Sequence, residues 1–241
     1  MLVSVIIPNY NYGVYIESAV KSLVNQTHKN LELIIVDDGS TDESLYFIKY
    51  LRNVYQKEFK RFEIRYFEKN RGKIAAINEA IPLIRGAFTT ILDADDFFHK
   101  DYVSFTVGEL AEKVRMNKSI SLAYSDCFLV DSDENIIGTG KSRIFDKKLI
   151  SKSSYIPGCA MMTSEALIKS FPFNEQIRIG TKHHMWKKII DAGGGGTYIE
   201  KSLFYYRIHD KNISGIGKKL MVNKSGLYNL PEYWPLQLSS L

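Results

Sequence analysis

Short apolar runs closed by polar clusters set the pattern of the first half of the chain. Residues 3–7 are rich in β-branched side chains and stop at Pro8, as a strand covered on both faces would. A turn follows at 9–13. Then Ile16, Ala19, Val20, Leu23 and Val24 recur at helical spacing. Residues 31–36 form a second buried run, ending in the polar turn 37–43. Ser40, with Glu43 three residues on, reads as a capping box that starts a helix with Leu45, Ile48 and Leu51 inward. Residues 62–67 predict a third strand, and Ala75, Ala76, Ile77 and Ala80 a third helix, which Pro82 ends or kinks. Residues 88–92 predict a fourth strand, running into Asp93-Ala94-Asp95-Asp96.

Strands alternating with helices predict an α/β domain with a mostly parallel sheet. In such sheets ligands bind beyond the carboxyl ends of the strands. Three polar clusters fall there: the turns at 8–13, 37–42 and 93–96.

The second half is less regular. Residues 101–116 read as a helix. Residues 121–130 and 135–138 read as a hairpin around 131–134. Residues 164–170 and 181–192 read as helices, the latter stopped by four glycines at 193–196, and 198–208 as a strand. From Ser214 the tail carries Lys218, Lys219, Tyr233 and Trp234 without a clear period. No internal repeat or separating linker is evident.

Composition narrows the partners. With 241 residues, 45% hydrophobic and 24% charged, the chain can bury a core without disulfides. A net charge of +5 suits an anionic ligand or a loose contact with acidic lipid. Lys and Arg are scattered among Asp and Glu, which argues against nucleic acid. Cys127 and Cys159 read as reduced thiols of a cytosolic protein. The N-terminus reads as a strand rather than a signal peptide, and no window reaches the length of a membrane span.

The chemistry concentrates in the turns. On an extended strand end, Asp93 and Asp95 point the same way. Paired carboxylates with room for phosphate oxygens suit Mg²⁺ or Mn²⁺, although an acidic turn also caps helices. Asp37 or Asp38 could accept from a pyrimidine N3–H. Ser40 and Asp42 suffice for capping, which leaves one of the two aspartates without a structural task. Asn70-Arg71-Gly72-Lys73 brings cations to a helix start, where a diphosphate would sit.

These residues resemble family 2 inverting glycosyltransferases. The resemblance runs from Val-Ser-Val-Ile-Ile-Pro-Asn-Tyr-Asn through 22–27, 32–42, Asn70-Arg71-Gly72, Ala76, Asn78, Gly86 and 92–96. It is weaker at Gly158 and 173–175, then clearer at Trp186 and 205–209. It implies a GT-A fold: a Rossmann-like sheet flanked by helices, with residues 1–98 binding the donor and a smaller acceptor-side subdomain at 99–213. The donor would be a nucleotide-diphospho-sugar. By the same resemblance Pro8 and Tyr10 would line the nucleoside, and Asp38 would contact the base. Arg71 and Lys73 would border base and phosphates, Asp93 would reach the ribose and metal shell, Asp95 would bind Mn²⁺ or Mg²⁺, and His209 would complete that shell.

One departure matters. Four residues before its tryptophan the family places a catalytic aspartate, where this chain has Lys182. A protonated lysine accepts no proton at neutral pH. His183, His184 and Glu175 are the substitute candidates for the base. Two functions follow. One is an active hexosyltransferase acting in the cytoplasm on a glycan or lipid-linked acceptor in surface-polysaccharide synthesis. The other is a degenerate nucleotide-sugar-binding module that partners another transferase. A dinucleotide-binding dehydrogenase would need more glycines at 9–13, and a nucleotidyltransferase a glycine- and arginine-rich first loop. The tail at 214–241 could rest on the inner face of a membrane, on the domain, or on a second copy in a homodimer. Cys159 reads as a small buried residue or the edge of the acceptor pocket.

Overall fold

The computed structural model describes residues 1–150, 152, 155–156, 158–212 and 236–238. In chain order the elements are β1 (Val3–Asn9), α1 (Ile16–Val24), β2 (Leu31–Asp37), α2 (Ser44–Tyr55), β3 (Arg61–Tyr66), α3 (Lys73–Ala80) and β4 (Phe88–Ile91). There follow β5 (Phe97–Phe98), α4 (Tyr102–Met116), β6 (Ile120–Val130), β7 (Ile136–Gly140), α5 (Lys147–Ile150), β8 (Ala160–Thr163), α6 (Ser164–Ser170), α7 (Thr181–Asp191), β9 (Gly195–Arg207) and β10 (Leu236–Leu238). Among the described residues, no helix is long and apolar enough to cross a membrane.

The first half folds as its pattern predicts. β1 pairs in parallel with β2 and β4, and β2 with β3. β1 and β2 are buried at every position. Alternate residues of one strand enter different cores, because successive side chains point to opposite faces. Val5, Ile7, Leu33 and Ile35 join α1, α2 and α4 on one face. Ile6, Ile34, Val36 and Ile91 join α3 and the Trp186 face of α7 on the other. Burying each such aliphatic side chain contributes roughly 1.5–3 kcal/mol, so the two cores fix these strands firmly.

The second half changes strand direction. β8 runs antiparallel to β4 and to β6, β7 forms the expected hairpin with β6, and β9 runs parallel to β6. β5 pairs antiparallel with β9, which ties the segment after the acidic turn to 204–205. Pro82 does end α3, in a 3-10 turn at Ile81–Leu83. The glycine run is only partly a stop, since Gly195 and Gly196 already belong to β9. The tail residues Lys218, Lys219, Tyr233 and Trp234 lie outside the described residues. Leu236–Leu238 pairs antiparallel with 138–140 of β7.

The capping box does not form. Glu43 is the N-cap residue of α2 and makes no side-chain cap bond. Ser40 Oγ is engaged elsewhere, donating to Asp37 Oδ2 at 2.7 Å and accepting from Asn11 N at 2.9 Å. Asp42 Oδ1 instead accepts from Ser44 N at 2.9 Å.

Candidate functional site

The ends of β1 and β2 are clamped together by their polar residues. Asp38 N donates to the Asn9 carbonyl at 2.8 Å. Asp37 Oδ2 accepts from Asn9 Nδ2 at 2.8 Å, and Asp37 Oδ1 from Ser40 N at 2.9 Å. Asn11, at φ 57, turns its Oδ1 to accept from Thr41 N at 2.8 Å. Pro8 is buried within β1, while Tyr10 stands just past it, 41% exposed.

Asp38 has its own structural task. Its Oδ1 accepts from Arg71 N at 2.7 Å, and its Oδ2 accepts from Gly72 N at 2.7 Å and Asn70 Nδ2 at 2.9 Å. Burial pushes its carboxyl upward, and the N–H bonds from Arg71 and Gly72 pull the other way. The elimination that left one of Asp37 and Asp38 spare is therefore wrong, because Asp37 holds the turn it sits in and Asp38 holds the loop at 70–72.

The clasped loop carries the cations. Arg71 lies over Phe67, with 4.5 Å from its guanidinium carbon to the ring centroid, and its Nη2 is 3.2 Å from Glu175 Oε2. Glu175 Oε1 accepts from Asn78 Nδ2 at 3.2 Å. Asn78 also brackets Phe173, donating to its carbonyl and accepting from its N–H. Gly72, at φ 99, precedes Lys73, the first residue of α3.

Past β4 the chain gathers acid. Asp93, Asp95 and Asp96 each offer an oxygen within 4.8 Å of the others. Lys73 Nζ lies 2.6 Å and Lys182 Nζ 2.8 Å from Asp93 Oδ1. Burial works to raise the Asp93 carboxyl, yet Lys182 and then Lys73 hold it down at about 2. Asp95 Oδ2 lies 3.0 Å from His209 Nε2. His209 Nδ1 accepts from Lys211 N at 3.2 Å, and Asn212 Nδ2 lies 3.1 Å from Nε2 beside Asp95. Asp96 is 1% exposed. Its Oδ1 accepts from Arg207 N at 3.0 Å, and its Oδ2 is buried with no hydrogen-bond partner among the described residues. Burial, then Asp95 and Asp93, push its carboxyl well above the usual range. A hard divalent cation fits this donor set: carboxylates crowded together, one with an orphaned buried oxygen.

Arg207 falls within the match at 205–209, but pattern reading gave it no role. Its side chain is fully buried, donating to the Asp95 carbonyl at 2.8 Å, the Ser132 carbonyl at 3.0 Å and Glu134 Oε1 at 2.9 Å. Tyr15 and Phe97 flank its guanidinium. The available signal was a lone cation directly after the aromatic stretch 204–206.

The candidate bases make no bond to this cluster among the described residues. Glu175 is committed to Arg71 and Asn78. His183 and His184 open α7 beside Lys182, and neither is hydrogen-bonded to the acidic turn among the described residues. Burial, then Lys187 and His184, keep the His183 imidazole below its usual pKa, and so neutral at pH 7. Lys182 is raised rather than lowered: burial opposes its charge, but Asp93, Cys159 and Asp96 together outweigh it. Cys159 and Cys127 are buried free thiols, both pushed upward by burial.

A family model, "Glycosyl transferase family 2", matches residues 4–171. Chondroitin synthase of Escherichia coli is 31% identical over 232 residues, covering 95% of this chain and 32% of that protein. The chain spans about a third of the length of that synthase and of two Rickettsia glycosyltransferases it also matches. Among solved structures, S. aureus TarS in complex with UDP-GlcNAc superposes with a TM-score of 0.67 at 20% identity, covering 89% of this chain and 60% of that one. The mannosyltransferase PcManGT of Pyrobaculum calidifontis, in complex with GDP-Man and Mn²⁺, gives 0.67 at 19% identity, with 88% and 58% covered. The chain belongs to glycosyltransferase family 2, and its fold is GT-A.

Proposed function

We propose that this family 2 chain transfers a sugar, with inversion, from a nucleotide-diphospho-sugar to a glycan or lipid-linked acceptor. The observation that carries this is the meeting of the Asp93, Asp95 and Asp96 cluster with the Asp38-held cationic loop at the carboxyl ends of β1, β2 and β4. The UDP-GlcNAc and GDP-Man of the TarS and PcManGT complexes support a nucleotide-sugar donor, and the chondroitin synthase relative supports a polysaccharide product.

Tyr10, Pro8 and Asp38 would border the nucleoside, and Arg71 and Lys73 the diphosphate. Asp95 with Asp96, Asp93 alongside and His209 behind would hold Mn²⁺ or Mg²⁺. A divalent cation there supplies positive charge for the leaving diphosphate. Residues 99–213 would supply the acceptor side. In an in-line displacement the acceptor oxygen bonds to the anomeric carbon as the bond to the diphosphate breaks, and a base takes the hydroxyl proton. Lys182, held charged by Asp93, does not serve. His183, His184 and Glu175 remain for that step. The work would take place in the cytoplasm, at a membrane face when the acceptor is lipid-linked.

The Lys182–Asp93 pair also favours a second reading, a module that binds donor without turning it over. Incubation with UDP-, GDP- and dTDP-sugars, Mn²⁺ and a mixed acceptor pool separates the two. Release of nucleoside diphosphate supports the transferase. Donor binding by calorimetry with no release overturns it in favour of the module.

A further inference from the structure

Where the family pattern places an acid, the first turn of α7 brings a buried ammonium to the acidic turn. Lys182 is 7% exposed, and its Nζ lies 2.8 Å from Asp93 Oδ1 and 3.3 Å from the Ile91 carbonyl. Lys73 reaches the same oxygen from the more open side, its side chain 22% exposed against 8% for Lys182. One carboxylate oxygen is thus held by two ammonium groups. Among the described residues Asp95 has no lysine partner and faces His209, and Asp96 keeps an orphaned oxygen. The cluster is divided: its Asp93 end is already neutralised, and its Asp95–Asp96 end is not.

We propose that Lys182 is a positioning residue that neutralises Asp93 from within. A divalent cation is then held by Asp95 and Asp96 with little help from Asp93, and firmly only when a nucleotide diphosphate binds with it. A cation approaching Asp93 would meet two like charges at that oxygen. A diphosphate brings the compensating anions and offers Lys73, the more exposed ammonium, a second partner. Lys182, held between Asp93 and the Ile91 carbonyl, stays in place and spares Asp93 an unpaired buried charge. The inference rests on the metal site proposed above and concerns which carboxylates hold the ion.

The test reads Mn²⁺ affinity from the free-ion electron paramagnetic resonance signal, without donor turnover and with or without UDP. Wild-type protein is compared with K182M, D93N, D95N and the K182M/D93N pair. Without UDP, K182M is expected to tighten Mn²⁺ by about tenfold or more, and adding D93N should cancel that gain. In the wild-type background D93N should stay within about threefold, while D95N weakens binding by about thirtyfold or more. An unchanged affinity in K182M, or a D93N loss equal to that of D95N, overturns the inference. Should K182M not fold, the comparison of D93N with D95N decides alone. If UDP binds by calorimetry yet no variant takes up Mn²⁺, the metal site itself fails and the inference falls with it, a pattern distinct from the other two.

Discussion

Arg207 donates from Nε to the carbonyl of Asp95 at 2.8 Å, so a strand far along the chain fixes the backbone of the acidic turn. The same guanidinium holds Ser132 and Glu134 of the β6–β7 hairpin. Replacing it with methionine leaves the buried Asp95 carbonyl without its donor and unties the exposed Ser132 and Glu134 from it. R207M should lose about 3 kcal/mol of stability in urea titrations. R207K, which keeps the charge but not the planar fork, should recover only part of that loss.

The carboxylates of the turn give opposite pH responses. Asp93 is held low, at about 2, so its pairing stabilises the fold above the ordinary value of 3.8 and is lost as pH falls from 3.8 through about 2. Asp96 is raised, so the folded state binds its proton more readily than the unfolded chain does. Its contribution is fully present below 3.8 and declines as pH rises from there toward the raised value. Urea unfolding in EDTA at rising pH should show wild type losing stability relative to D96N. Parallel curves for the two proteins would refute this.

Gly39 sits at φ +70, and a Cβ there would lie 2.6 Å from the Lys69 carbonyl carbon and 2.7 Å from Asn70 N. The clash is with backbone, so relief means moving the loop that Asp38 clasps. G39A should cost about 1–3 kcal/mol and weaken UDP binding. Gly180, at φ +64 with no atom of the described residues within 4 Å of the added Cβ, is the control. G180A should show a strain cost of about 1–2 kcal/mol, with UDP affinity retained.

The base can be found by kinetics. Of H183A, H184A and E175Q, the variant that removes it should lower kcat by about 10²–10⁴-fold, with the acid limb of the pH profile displaced. E175Q should in addition raise the donor KM, because Glu175 also holds Arg71 at 3.2 Å. Equal and small effects in all three would exclude the set.

What could be read from the sequence was what depends on local pattern. The runs at 3–7 and 31–36 predict buried strands, and both enter two cores. The acidic turn and the cationic loop were visible as residue types at strand ends. Long-range pairing was not visible. Ser40 looked like a helix cap because Glu43 follows at the right spacing, but Asp37 and Asn11 compete for its hydroxyl. β5, β8 and β10 are too short to show a period, and their partners lie far along the chain. Lys182 could be seen to replace an acid. That its ammonium pairs with Asp93 emerges only when α7 packs beside β4.

The clasp of Asp38 on residues 70–72 bears on the speed of ligand capture. A loop already fixed by Arg71 N, Gly72 N and Asn70 Nδ2 gives up little conformational freedom when a ligand arrives. No slow ordering of that segment need precede a productive encounter. Capture of an anionic nucleotide is then governed by diffusion and by the field of the nearby cations, a rate that falls as ionic strength rises.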